Sequence, residues 1–535
     1  MASKEKRSEF FLGGKLKPKE CYRPEDVAFL NYEEDLGDPG EYPFLRGPFH
    51  GGHTERPWRT LQYAGYGAGE DTNARWKFLL SQGQKGLNLA FDLPTQLGMD
   101  SDDPKGIDEV GRIGVAIDTL ADMERLYDGI DVGSISSSYT INGTANVLLA
   151  MYVALARKQG VSEGKLRGTL QNDILKEYTS RGAYIYPPKP SVKMVCDVIE
   201  YCVKQLPKMN AVNVGCHMLG AGATQIQTWA LMFATGAVYI EECLRRGLEA
   251  NDVLSHITFL TNVNMDFLET IAVHRAARRL WARIAKSKFG ASNSKAMAMR
   301  MGTGIHAVAL VDRQPLNNIA RITIMALAAA LAGTQSMHLA SYDESYAIPS
   351  EEATRTSLMV QHILINETDI CRTADPLGGS YAIEALTEEL ENGISGTIAS
   401  IEEQGGIVKL IEQGDIQRQI AKQAFEEAQR VESGEKVIIG VNKYAVEEDR
   451  SKYEEGIFQV DHEIGKRQIK RLNDVRSGRN KKEVEKALDE LREAAKEDKN
   501  LMPDLVTATE KYCSIGEICG VLKDVYGEYR DISTI

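Results

Sequence analysis

Eight short apolar or β-branched runs recur along the chain, each trailed by a helical pattern, and this alternation limits the fold more than any other feature. The runs are Thr60 to Tyr63, Leu87 to Asp92, Ser134 to Thr140, Gly168 to Gln171, Ala211 to His217, His256 to Thr261, Ala296 to Arg300 and Ser336 to Ala340. Between them lie amphipathic stretches such as Asp71 to Gly83, Ala145 to Gln159, Thr224 to Gly247 and Asn264 to Lys288. Parallel strands need long crossovers, and helices in those crossovers cover the outside. The pattern predicts an α/β protein built as a (β/α)8 TIM barrel, with a doubly wound open sheet as the competing architecture. In a barrel the reacting groups sit where strands give way to loops. Tyr63, Gln171, His217, Arg300, Gln335 and Glu344 all fall near predicted strand ends.

A barrel accounts for about 250 residues, so a chain of 535 must carry more. Residues 1–35 read as a polar N-terminal arm, 36–388 as the barrel and 389–535 as a C-terminal helical region. That last region holds helical patterns at Leu386 to Gln404 and Gln417 to Val431, a strand-like Lys436 to Gly440, and a charged helical pair over Lys466 to Asn500. The formal net charge of −13 argues against a nucleic-acid footprint, so an anionic substrate must be met by local cations. No apolar run approaches membrane-spanning length, and the charged first residues lack the apolar core of a signal peptide, which predicts a cytoplasmic protein with no membrane partner. The eight cysteines are scattered without a CxxC pair, and the nine histidines lack an HExxH or paired zinc spacing, so no metal bound by this chain's own ligands is expected.

Four motifs carry candidate chemistry. GTLQNDILKEYTSRGAYIYPP, Gly168 to Pro188, turns at Asn172-Asp173 and presents the neutral amide of Gln171 and the guanidinium of Arg181 near one strand end. An amide can donate to or accept from a carbonyl, and a guanidinium fork suits a carboxylate. The plain alternative is a helix arginine paired with Glu177. RPWRTLQYAGYGAGEDTN, Arg56 to Asn73, places Tyr63 before glycines at 65, 67 and 69. Their alternate spacing lacks the Gly-x-x-Gly step of a dinucleotide loop, and they suit close approach of a planar cofactor or a pantetheine chain instead. GCHMLGAGAT, Gly215 to Thr224, sets His217 beside a glycine-rich turn, where a satisfied core histidine is the bland reading. SMHLASYDES, Ser336 to Ser345, contains Glu344 and follows Gln335, either of which also suits a cap or surface position.

These motifs, together with GLNLAFDLPTQLGMDSDDP at Gly86 to Pro104 and GVNKY at Gly440 to Tyr444, resemble the coenzyme B12-dependent acyl-CoA mutases, of which methylmalonyl-CoA mutase is the type member. The resemblance covers residues 36–530. It implies a radical isomerase that moves a thioester group between neighbouring carbons of a carboxylated acyl-CoA. Tyr63 and His217 are then the catalytic residues. Arg56, Gln171, Arg181, Cys216, Thr258, Arg300 and Gln335 bind substrate, and Tyr63, Gly65 and Glu344 face the adenosylcobalamin. The family's cobalamin module carries Asp-x-His-x-x-Gly, and this chain has only Asp461-His462. The resemblance therefore implies a large subunit that receives its cobalt ligand from a separate small cobalamin-binding subunit. Further implied partners are a mutase chaperone GTPase and a hetero-oligomer with barrel–barrel dimerisation.

Departures from the family pattern concern the substrate. Cys216 replaces a tyrosine before the histidine, Leu61 and His256 stand where arginines are usual, and Gly302 and Gly304 stand where His and Gln are usual. Ala340 replaces an asparagine of the adenosyl pocket. The pattern leaves open a mutase for a bulkier 2-substituted malonyl-CoA or succinyl-CoA with an ethyl, alkyl or benzyl branch. A non-catalytic barrel that binds a B12 protein is the other alternative.

Overall fold

A computed structural model describes residues 16–81, 84, 86–347, 349–446 and 463–530. Asp461-His462 and the first fifteen residues of the N-terminal arm lie outside the described residues. Among the described residues nine strands form: β1 Arg59–Leu61, β2 Leu87–Ala90, β3 Ser136–Thr140, β4 Arg167–Leu170, β5 Lys208–Asn210, β6 Val212–Gly215, β7 Ile257–Asn262, β8 Met301–Ile305 and β9 Ser336–Leu339. All recorded pairings between them are parallel. They are organised as a five-stranded sheet of order β1-β9-β8-β7-β6 and a four-stranded sheet of order β2-β3-β4-β5. The architecture is thus mixed α/β with two parallel sheets, where the sequence predicts one ring of eight strands. The two sheets touch at both edges. Ala211 alone separates β5 from β6, and at the other edge the Ala64 N–H donates to Asn88 O while the Ala90 N–H donates to Ala64 O.

Each crossover carries a helix because its sequence repeats apolar residues at helical spacing. Ala145–Lys158 buries twelve consecutive residues between β3 and β4, and Gln225–Arg245 and Phe267–Ser287 cover the crossovers that follow. Two predicted elements are corrected. The seventh run was expected at Ala296 to Arg300, but Ser294–Met297 is a helical turn and the strand is Met301–Ile305. Gly302 and Gly304 hide that strand, since glycine has low strand propensity. Both line a cavity, and a Cβ on Gly302 would fall 2.7 Å from Ser336 Oγ. Lys436 to Gly440 is no strand either, and makes only a single bridge between Ile439 and Lys443.

The C-terminal helices join the same core. Met502–Glu510 packs on Ala145–Lys158, and one buried apolar cluster runs from Ala64 through Leu491 and Leu505 to Leu522. The expected charged pair is present as Glu463–Gly478 and Lys481–Lys496, with Leu472, Val484 and Leu491 buried. Four arginines on Phe267–Ser287 fix the periphery. Arg275 reaches Asp375 and Glu384, Arg279 reaches Glu388 and Glu391, and Arg283 reaches Glu391 and Asp35 of the N-terminal arm. Arg278 instead donates to the carbonyls of Leu45 and Ala332. Buried guanidinium groups need partners of this kind, though Arg275 Nε has none among the described residues. Among the described residues no helix is long and apolar enough to cross a membrane.

Candidate active site

A cavity of about 420 Å³ runs between the two ends of the strands. At the N-terminal ends of the strands it is lined by Arg46, Arg56, Arg59, Arg278 and Arg300, and at the opposite ends by Tyr63, Thr140 and Gln171. Leu61, Gly302 and Gly304 form wall between, three of the four positions that depart from the family's polar pattern. His256 is elsewhere, its Nδ1 2.8 Å from Asp252 O. An adjoining pocket shares Arg59, Thr169 and Asn210 and adds Arg167 and Lys208. Cations are therefore grouped along one edge of the cavity despite the acidic net charge.

The sequence-predicted residues divide between the two ends. Arg56 precedes β1, Thr258 lies early in β7, Arg300 precedes β8 and Gln335 precedes β9, all toward the cation-rich edge. Arg300 donates to Asn210 Oδ1 at 2.9 Å and to the carbonyls of Ser255 and Ile257, with no carboxylate partner among the described residues. Gln335 spends both ends of its amide on backbone, accepting from Met301 N at 2.7 Å and donating to Gly333 O at 2.6 Å. The expectation that Arg300 ends a strand is corrected by the shifted position of β8, while Gln335 precedes its strand as the run Ser336 to Ala340 predicts.

Tyr63, Gln171, Arg181, Cys216, His217 and Glu344 come after strands. Asn172 adopts φ 44°, a left-handed conformation that asparagine tolerates, which turns the chain sharply after β4. The turn lets Gln171, Glu177 and Arg181 meet in one hydrogen-bonded chain. Asn142 Nδ2 donates to Gln171 Oε1 at 2.9 Å and to Glu177 Oε1 at 2.6 Å. Arg181 then donates to Glu177 Oε1 at 3.2 Å and to Gln96 Oε1 at 2.8 Å. Because the Gln171 oxygen is occupied by Asn142, its N–H groups are the free end toward the cavity. Glu177 also holds the buried Lys176 Nζ at 2.8 Å, and burial pulls that ammonium's pKa down while Glu177 supports it.

His217 opens the turn His217–Gly220 two residues after β6. Burial, then the neighbouring Lys176, His306 and Arg181, holds its pKa well below 6.5, so the imidazole is neutral. Its buried Nδ1 has no partner among the described residues. Tyr63 is likewise kept protonated by burial and packs edge-on to His338, ring centroids 4.2 Å apart. Glu344 accepts from Ser341 N at 2.9 Å through Oε2, and burial raises its pKa.

Two positions read as ligand-facing have packing accounts. Cys216 is 3 % exposed within the apolar core, and burial pushes its thiol up to about 12; like Arg181, His217 and Glu344 it lies outside the cavity lining. Gly65 meets β2, where a Cβ would lie 2.1 Å from Ala90 O. Its companions Gly67 and Gly69 have equally local reasons, Asp71 Oδ2 at 2.5 Å and Asp122 O at 2.8 Å.

Sequence reasoning missed Asn142, Gln96, His306 and His338. His306 follows the strand whose position was misjudged, and His338 alternates within Ser336–Leu339. Asn142 and Gln96 have no signal of their own, since their partners Gln171, Glu177 and Arg181 lie 29 to 85 residues away.

Comparison with known proteins places these features. The family model described as Methylmalonyl-CoA mutase matches residues 13–528. The 2-hydroxyisobutanoyl-CoA mutase large subunit of Aquincola tertiaricarbonis is 43 % identical over 529 residues, covering 98 % of this chain and 94 % of that protein. Methylmalonyl-CoA mutase of Escherichia coli is 39 % identical over 513 residues, 96 % of this chain and 71 % of that protein. The mitochondrial methylmalonyl-CoA mutase of Homo sapiens is 39 % identical over 504 residues, 94 % of this chain and 66 % of that protein. With the match running nearly from end to end and the charged chain from Gln171 to Arg181 beside a neutral histidine, this protein belongs to the methylmalonyl-CoA mutase family and is an acyl-CoA mutase of the isomerase class.

Proposed function

We propose that the chain is the substrate-binding large subunit of an adenosylcobalamin-dependent mutase acting on a carboxylated acyl-CoA of the methylmalonyl-CoA and succinyl-CoA type. The observation that carries this reading is the hydrogen-bonded chain Gln171–Asn142–Glu177–Arg181–Gln96 next to His217. It sets an amide donor and a guanidinium at a fixed separation, which suits a substrate with a thioester carbonyl at one point and a carboxylate at another. Arg56, Arg59 and Arg300 at the far edge suit the phosphates of coenzyme A, so that the thioester arm threads the cavity toward Tyr63 and Gln171.

The backbone contacts at Ala64 and the one-residue junction at Ala211 support reading the two sheets as one (β/α)8 barrel around this cavity. In that frame Tyr63, Gln171, His217 and Glu344 occupy the C-terminal face expected of catalytic residues. His217 as a neutral imidazole donates a hydrogen bond to the thioester oxygen without surrendering a full proton. Tyr63, its hydroxyl desolvated, supplies a wall that excludes water from the acyl end.

The cofactor, when bound, supplies the hydrogen-abstracting radical. The residues present fit it, since Glu344 retains Oε1 as an acceptor for a ribose hydroxyl among the described residues and His338 Nδ1 is buried without a partner. A relative named as a large subunit supports a separate small cobalamin-binding subunit for this chain too.

The test uses the chain with a cobalamin-binding subunit and adenosylcobalamin across carboxylated and hydrocarbon acyl-CoA esters. Arg181→Gln is expected to lower kcat/KM for the carboxylated ester by one to three powers of ten, because each bond to a charged group contributes about 1.5–3 kcal/mol. Hydrocarbon esters should be little affected. Equal kinetics of both proteins on the carboxylated ester would assign Arg181 to Glu177 alone and remove the carboxylate from the reading.

A further inference from the structure

The described histidines withdrawn from solvent fall into two groups. His53 meets Ala330 O at 3.0 Å, His256 meets Asp252 O at 2.8 Å, and His274 meets both Thr270 O at 2.7 Å and Thr261 Oγ1 at 2.9 Å. His338 has a backbone bond to Leu61. Each of these rings is anchored to the fold by at least one bond, although His256 Nε2 and His338 Nδ1 are buried without a partner among the described residues. His217 and His306 differ, for among the described residues neither has a hydrogen bond acting on its ring. His217 Nδ1 is buried as well as unpaired, which is costly to leave so, whereas the unpaired ring of His306 keeps some exposure. Ligand atoms are the natural remedy.

His306 is placed to receive them. It is the residue after β8, as His217 follows β6 by two residues, and their ring centroids are 6.1 Å apart. Gly304, which lines the cavity, is kept bare under the ring, because a Cβ there would come 2.5 Å from His306 Nε2. Burial and the charges of Lys176 and Arg181 hold the ring neutral, with a pKa of about 4. Such a ring offers one donor and one acceptor. His306 therefore stands in the same electrostatic neighbourhood as the group that binds the thioester and the group that binds a carboxylate.

We propose that His306 contacts the acyl part of the substrate and selects acyl-CoA esters bearing a second oxygen function, a carboxylate or a hydroxyl, over plain hydrocarbon esters. The assignment rests on the acyl-CoA reading and names a residue that reading does not require. It is tested by calorimetric binding to the full chain, without cofactor, of three esters of similar length: succinyl-CoA, 3-hydroxybutyryl-CoA and butyryl-CoA. One or both oxygenated esters should bind wild type about tenfold tighter than butyryl-CoA, the effect of one hydrogen bond of about 1.4 kcal/mol. His306→Phe should reduce the preference for at least one oxygenated ester about tenfold, the share that Arg181 gives a carboxylate remaining, while leaving butyryl-CoA within about twofold of wild type, and His306→Asn, which keeps a donor, should restore part of it. Loss for one oxygenated ester alone assigns that oxygen function to His306. Gly304→Ala, which forces the ring aside, should reproduce the loss and guards against a misfolded Phe variant. Equal weakening of all three esters by His306→Phe, or an unchanged preference, overturns the proposal and leaves the mutase reading standing. Failure of wild type to bind any ester overturns both.

Discussion

At the scale of single residues, burial holds imidazoles neutral well below the pH at which they would charge in water. His274 shows this most cleanly. Its Nδ1–H donates to Thr270 O and its Nε2 accepts from Thr261 Oγ1, and burial lowers its pKa from 6.5 to about 4. Because the folded value lies below the unfolded one, the unfolded chain takes up a proton first on acidification. Stability present at pH 7 is therefore lost as the pH falls from about 6.5 toward about 4, with about 2 kcal/mol gone by pH 5 for each such imidazole. His306 adds a second contribution of the same sign. Urea unfolding of wild type and His274→Gln at pH 7 and pH 5 checks this. The difference between the two pH values should shrink by about 2 kcal/mol in the variant, and an unchanged difference would mean that His274 protonates in the fold. The motif residues themselves were legible at this scale: a glutamine, an arginine and a histidine beside predicted strand ends suggested a carbonyl and a carboxylate. What could not be read was that Asn142 takes the Gln171 oxygen, since that contact spans 29 residues.

At the scale of elements, glycines mark where backbones approach, and their neighbours decide the reason. Gly168 in β4 faces Ser137 O of β3, where a Cβ would lie 1.8 Å away, and Gly65 faces Ala90 O at 2.1 Å. Both keep neighbouring strands at pairing distance. Gly65→Ala should consequently destabilise the fold by about 1–3 kcal/mol, the range of overpacking, whatever the cofactor. A thermal melt of the cofactor-free chain measures it. A variant as stable as wild type but weaker for adenosylcobalamin would instead return Gly65 to the cofactor. Period and turn chemistry foretold most elements, including the crossover helices and the charged pair Glu463–Gly478 and Lys481–Lys496. They failed at β8, where a cavity-facing row of glycines erases the apolar alternation on which strand recognition rests.

At the scale of the whole molecule, the C-terminal helices are part of the core that carries the site. Leu491, Leu505, Ile515, Ile518 and Leu522 are buried in the same cluster as the helix Ala145–Lys158. Arg476 ties Glu463–Gly478 to Asp100 and Asp102, a few residues beyond Gln96. A chain truncated after residue 446 should lose near-UV circular dichroism and bind an apolar dye, the signs of lost side-chain packing. A cooperative unfolding transition in that fragment would show that the rest folds without these helices. The sequence by itself determined the repeating strand-and-helix units, the family and which groups we propose for a thioester and a carboxylate, because these follow from local periodicity and from contiguous motifs. Tertiary structure alone decided which predicted residues share an end of the strands, which glycines serve packing, why Cys216 belongs to the core, and that His306 stands beside His217. Those outcomes depend on register and on contacts between segments far apart in the chain, and no local pattern encodes either.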